Sequence, residues 1–187
     1  HCCCRQNWLV NSTRLSHWPA IAAIVVVCGS QTKAVDLSVS DDGSTAEQSR
    51  PRLSVSAQSG LVVVWEDKRG GLPDVYFQRI DQWGYLAGIN QRLTDDNGSF
   101  VHKQPGIAID YTGQYQLVWL DYRNGAYPLR PQLYSQRLDS LGEFIDDNWR
   151  VTVEQPDSLR ASPDLALSPA GEGLVVWEDY RNRNWDI

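Results

Sequence analysis

The amino-acid sequence predicts an all-β chain built from repeated four-stranded antiparallel units, and three observations carry that prediction. The stretch VVWEDKR at 63–69 returns as LVWLDYR at 117–123 and as VVWEDYR at 175–181. Each tryptophan of these stretches (Trp65, Trp119, Trp177) lies fourteen residues after a proline: Pro51, Pro105 and Pro163. After residue 34 no apolar period of 3.6 appears; short runs of β-branched and aromatic residues recur instead, separated by glycine turns. A fixed period decides the architecture before local detail does.

Residues 1–33 read as a leader. Arg5, Arg14 and His17 precede the apolar run from Trp18 to Cys28, which has the length of a signal-peptide core and falls short of the ~20 residues a spanning helix needs. Cys28-Gly29-Ser30 has the look of a lipid-anchor site, although Val27 stands where a small residue is usual. Cleavage after Gly29 or Ala34 is the other reading. The expectation is a secreted or cell-surface protein, with membrane contact only through a signal or a lipid anchor. All four cysteines (Cys2, Cys3, Cys4, Cys28) precede the repeats, so no disulfide and no cysteine metal site is expected in the folded part.

Residues 34–187 form the repeat domain. Pro51 and Pro105 are 54 residues apart, Pro105 and Pro163 are 58 apart, and the extra four fall in the stretch 124–132. The underlying period is therefore 54. Each period holds four strand-like runs. Run a follows the proline (53–57, 107–110, 165–168). Run b carries the tryptophan (61–66, 115–120, 173–178) and is continuously apolar, as a strand covered on both faces must be. Run c (74–81, 132–139) alternates polar and apolar residues. Run d is short (90–94, 148–152).

Four antiparallel strands per unit of about 50 residues is the pattern of a β-propeller blade. A separate sandwich of 54 residues would bury too little core of its own. The blades are expected at 51–94 and 105–152, with a partial blade at 163–187. Residues 36–42 (DLSVSDD) match 90–96 (NQRLTDD) one period on, so 36–40 is expected to be an orphan outer strand. Its other three strands are expected beyond residue 187, and the blades missing from this stretch are the first partner to expect.

Trp, Asp and Arg at spacing two point to one side of an extended strand. The structural reading of Trp65, Trp119 and Trp177 is filler between blades, with Asp and Arg tying down the following turn. The functional reading is a ring of ligand-binding groups: Asp67, Arg69, Asp121, Tyr122, Arg123, Tyr127, Asp179, Tyr180 and Arg181. Tyr122, Tyr127, Tyr180 and Trp185 would supply stacking surfaces for sugar or peptide. In an up-and-down blade the b–c and d–a loops share one end, so these residues, the 124–131 insertion and the 95–99 turn should share one face.

The tandem Trp-Glu-Asp-x-Arg stretch with a following run such as DVYFQR at 74–79 resembles repeats of predicted secreted bacterial propeller proteins. The resemblance covers roughly 36–187. It implies a propeller and leaves the biochemical role open. Leu120 in place of Glu, and Gln132-Leu133 in place of Asp-Val, depart from the pattern.

The net charge of −6 becomes −8 once residues 1–28, with two arginines and no acid, are set aside. That argues against a nucleic-acid partner, which needs a basic footprint. Glu66-Asp67 and Glu178-Asp179 are strand neighbours facing opposite sides, so neither is an acid/base pair. The turns at 41–44 and 95–99 are acidic but lack the ligand spacing of a calcium loop. They also miss the sialidase Asp-box spacing. No metal and no cofactor is expected, and His102 is expected to stand alone in solvent. The leading expectation is a non-catalytic binder of carbohydrate or protein. The alternatives are a sialidase- or glycosidase-like propeller hydrolase with catalytic residues in missing blades, and a structural spacer.

Overall fold

The computed structural model describes residues 36–56, 60–97, 100–125, 127–153 and 158–187, together with the backbone of 23–25. Cys2–Cys4, Cys28 and the end of the 95–99 turn lie outside the described residues. Among the described residues every regular element is a strand. Blade 1 is β3 (Gln48–Ser56), β4 (Gly60–Asp67), β5 (Asp74–Ile80) and β6 (Leu86–Arg92). Blade 2 is β7 (His102–Ile109), β8 (Tyr115–Asp121), β9 (Gln132–Leu138) and β10 (Trp149–Arg150). A two-stranded unit follows, β11 (Arg160–Leu167) and β12 (Gly173–Asp179). Each unit is an antiparallel meander in chain order. The chain is a partial β-propeller.

A short pair stands before blade 1: β1 (Ala23–Val25) and β2 (Asp36–Ser38). β1 falls within the stretch read as a leader. Ile24 faces Leu37, as Phe77 faces Gln91 in blade 1 and Ser135 faces Trp149 in blade 2. Leu37, Gln91 and Trp149 share one repeat position, so β1 and β2 pair in the register of a third and a fourth strand.

The first strand of each unit begins five residues earlier than the sequence indicates. Gln48, His102 and Arg160 open β3, β7 and β11, and the prolines sit inside the strand at a bulge. The bulge residues Arg50, Gln104 and Ser162 each take a left-handed φ, of 54°, 53° and 51°. The following proline has no N–H to offer the ladder, so the bulge is where a proline costs the strand least. The fourth strand also departs from its expected place: β6 covers 86–92, and only Trp149–Arg150 are laddered in β10. Nor does β5 alternate. Gln78 and Gln136 are buried beside the buried Phe77 and Ser135, because each amide is satisfied by backbone carbonyls and by Asn90 or Asn148.

The core lies between the units. One face of β4, with Val62 and Val64, meets Ile107 and Leu117 of blade 2. Val118 and Leu120 of blade 2 meet Leu165, Val175 and Trp177 of the third unit. Val39, just after β2, covers Val63, Trp65 and Ile80 on the other side of blade 1. Gly60 opens β4 at φ +85°, and a Cβ there would lie 2.3 Å from the Ile80 carbonyl oxygen. Gly60→Ala is expected to destabilise the protein by ~1–3 kcal/mol, since alanine meets both strain and a clash. A melting temperature equal to the parent's would contradict this.

Candidate functional site

The Trp-x-Asp-x-Arg stretch closes on itself in all three units. The indole Nε1 of Trp65, Trp119 and Trp177 donates to Oδ2 of Asp67, Asp121 and Asp179, at 2.9, 3.0 and 3.3 Å. The other oxygen, Oδ1, accepts the backbone N–H of Arg69, Arg123 and Arg181. The arginine then returns its guanidinium to Oδ2. Asp67 and Asp121 have no exposed surface and Asp179 almost none. Burial alone would raise the Asp179 carboxyl; Arg181, Ser158 and Trp177 outweigh it and hold the group below the usual carboxylate range.

The arginines also bind the units together. Arg69 pairs with Asp41 at 2.9 Å, and Arg123 pairs with Asp95. Asp41 accepts the Asn90 N–H, and its own N–H donates to the Asn90 side chain. Asp95 and Asn148 repeat that exchange. Each arginine lies over a tyrosine ring, Tyr76 or Tyr134, at 4.4 Å. Five of the sequence-derived site residues (Asp67, Arg69, Asp121, Arg123 and Asp179) thus have their polar groups engaged inside the scaffold.

His102 is neither alone nor in solvent. It is fully buried between blades 1 and 2. Nδ1 lies 3.0 Å from Asp74 Oδ1; Nε2 lies 2.9 Å from Asp96 Oδ2 and 3.4 Å from Asp121 Oδ2. Burial would push the imidazolium down, but Asp121 and Asp74 outweigh it and lift the group to about 9. Asp74, Asp96 and His102 bring one ligand atom each within 4.8 Å of one another, a spacing a cation could share. Arg92 bonds both aspartates and, with the imidazolium, supplies the counter-charge. Repeat register was the sequence signal for this group. Gln48, His102 and Arg160 occupy one position, opposite Asp67, Asp121 and Asp179.

A second cluster lies on the b–c and d–a loop side, where the sequence places the insertion. Glu66 is buried, pairs with Arg50 at 3.1 Å and accepts the Gln104 N–H at 2.8 Å. The Gln104 side chain in turn accepts the Ser162 N–H at 2.6 Å. The three left-handed bulges are therefore joined across the units. Lys103 Nζ donates to the Tyr127 hydroxyl at 3.2 Å and sits 5.2 Å from that ring. Tyr122 meets Tyr127 edge to face at 5.0 Å. Burial, then Tyr127 and Glu66, push the Tyr122 hydroxyl up. Tyr127 is 53% exposed, whereas Tyr122 is buried. Tyr180 and Trp185, 5.3 Å apart, form a separate exposed pair at the third unit with Arg181. The open ring of Tyr127, beside a charged row of Arg50, Glu66 and Lys103, can stack a sugar face and hydrogen-bond its hydroxyls.

No protein-family model and no curated protein matches the chain. Several solved structures are similar in fold, two arabinanases among them. One is the α-L-arabinanase of Penicillium chrysogenum in complex with arabinobiose, at TM-score 0.51 and 16% identity over 75% of this chain and 44% of that one. The other is the endo-arabinase of Bacteroides thetaiotaomicron VPI-5482, at TM-score 0.51 and 11% identity over 81% of this chain and 57% of that one. The chain spans about half the length of the structures it matches. At such identities the likeness shows the fold: an all-β, partial propeller.

Proposed function

We propose that this chain is part of a carbohydrate-active propeller that hydrolyses glycosidic bonds, with sugar laid against Tyr127. The observation that carries the reading is the shared fold of two arabinanases, one with arabinobiose bound. Glycoside hydrolysis uses two carboxyl groups on either side of the scissile bond. Glu66, held by Arg50 and the Gln104 N–H beside the tyrosine pair, is the described carboxylate best placed to face a developing positive charge on the sugar. The second carboxyl is assigned to blades other than those described here.

Release of reducing sugar from arabinan by the purified protein tests the reading. Tyr127→Ala should weaken arabino-oligosaccharide binding roughly tenfold, the loss of one stacking surface, and leave the fold intact because the ring is exposed. Unchanged affinity would remove Tyr127 from the site. A second reading, binding without hydrolysis, is favoured by one observation: Asp67, Asp121 and Asp179 are all occupied within the scaffold. Binding with no sugar released would select it.

A further inference from the structure

Blade 2 departs from the repeat at three places, and the three converge on the b–c and d–a loop side. Ser49, Lys103 and Ala161 occupy one repeat position. Across the ladder they face Glu66, Leu120 and Glu178. Blade 1 and the third unit thus set a small residue against a glutamate, whereas blade 2 sets a lysine against a leucine. The formal charge of the pair changes from −1 to +1. The third departure is the insertion at 124–132, which brings Tyr127.

The joint between units survives the change, and only the charge is lost. Glu66 accepts the N–H of Gln104, the bulge residue of the next unit, at 2.8 Å. Leu120 cannot do the same for Ser162, and the neutral Gln104 side chain accepts the Ser162 N–H instead. Lys103 is left without a counter-ion: Nζ bonds the Tyr127 hydroxyl, and among the described residues no carboxylate pairs with it. An ammonium has three donors, and that bond uses one. Arg50 meets Glu66 through Nε, and its side chain is 55% exposed. Lys68 bonds Glu47 at 2.5 Å and lowers that carboxyl, and Lys103 adds to the effect. Arg50, Lys68 and Lys103 against Glu47 and Glu66 leave this row at 3 − 2 = +1, in a chain whose net charge is −6.

We propose that the sugar chain this site takes is acidic, and that Lys103 selects it by binding the carboxylate of a uronic acid, with Arg50 as the second cation of the row. The inference rests on the reading of Tyr127 as the stacking surface. A sugar laid on that exposed ring carries its substituents to the hydroxyl rim, where Nζ lies 3.2 Å from the phenol oxygen. A bond from ammonium to carboxylate is roughly twice as strong as one between neutral groups. A neutral sugar offers Lys103 only hydroxyls, so the lysine separates the two. Its role is specificity, and the bond-breaking step does not use it.

Calorimetric titration of the 187-residue chain tests this with three probes: trigalacturonate, the neutral trimer made by reducing its carboxyls, and arabinotriose. The acid should bind about tenfold tighter than its reduced form, the worth of one charge-assisted bond. That preference should shrink as salt rises. Lys103→Ser copies Ser49 and should keep the parent's circular dichroism while bringing the two affinities together. Lys103→Arg should retain the preference, which a purely structural lysine would not predict. Equal affinity for acid and neutral trimer would overturn the proposal, and so would a preference that survives in Lys103→Ser. If arabinotriose still binds in either case, the reading of Tyr127 stands alone. If none of the three probes binds, both fall.

Discussion

Trp119→Ala should lower the unfolding free energy by ~3–5 kcal/mol, the range for emptying a buried tryptophan site. The indole has no exposed surface and packs 6.5 Å from the Tyr134 ring, in the cluster that joins blades 1 and 2. The substitution also takes the Nε1 donor from Asp121, a buried carboxylate left with fewer partners. Trp177 makes the same bond at a longer 3.3 Å and is only half-buried, so Trp177→Ala should cost less. Denaturant unfolding of both variants checks the order. A Trp119 loss below ~1 kcal/mol, smaller than one buried methylene group or two would give, would contradict the inter-blade role.

The second large effect is alkaline. His102 gains its proton's stabilisation from Asp74, Asp96 and Asp121, with Arg92 and Arg123 bonded to the same carboxylates. The folded-state value is raised from 6.5 to about 9. The contribution is therefore complete below about pH 6.5 and is lost as pH rises through about 9. The shift corresponds to about 3 kcal/mol at most, at 1.36 kcal/mol per pH unit. His102→Gln should flatten the stability curve between pH 7 and 10, and it copies the residue that Gln48 places in blade 1. A parent curve that is already flat there would sink the prediction. On the acid side Asp74 and Asp121 are held below their usual range, against burial, by His102 with Thr94 or Arg123, so their contribution falls away only as pH drops.

Much of the fold was legible because it repeats. Trp65, Trp119 and Trp177 gave the unit, and β4, β8, β5 and β9 lie within a residue or so of the runs that announced them. The first strands were misread at their starts because proline ordinarily ends a ladder. Only the left-handed turn at Arg50, Gln104 and Ser162 lets the strand run through it. His102 was missed because Asp74 and Asp96, 28 and 6 residues before it in sequence, meet it only when two blades stack. Tyr127 was legible as an open aromatic on an insertion. Glu66 was not, because its partners Arg50 and Gln104 come from the bulges, which the sequence does not advertise.

The Trp-x-Asp-x-Arg closure has a consequence for how the chain acquires its shape during synthesis. Its bonds span only two residues, at 65–67, 67–69 and their repeats, and a hairpin is all they need. The bonds between units span 28 and 49 residues: Arg69 to Asp41, Asn90 to Asp41. Local contacts form first and distant ones wait for loop closure. Each unit can therefore set its central hairpin as it leaves the ribosome, before the next unit exists. The buried carboxylate is then matched at once, and a chain half made never carries Asp67 or Asp121 as a bare charge in an apolar sheet.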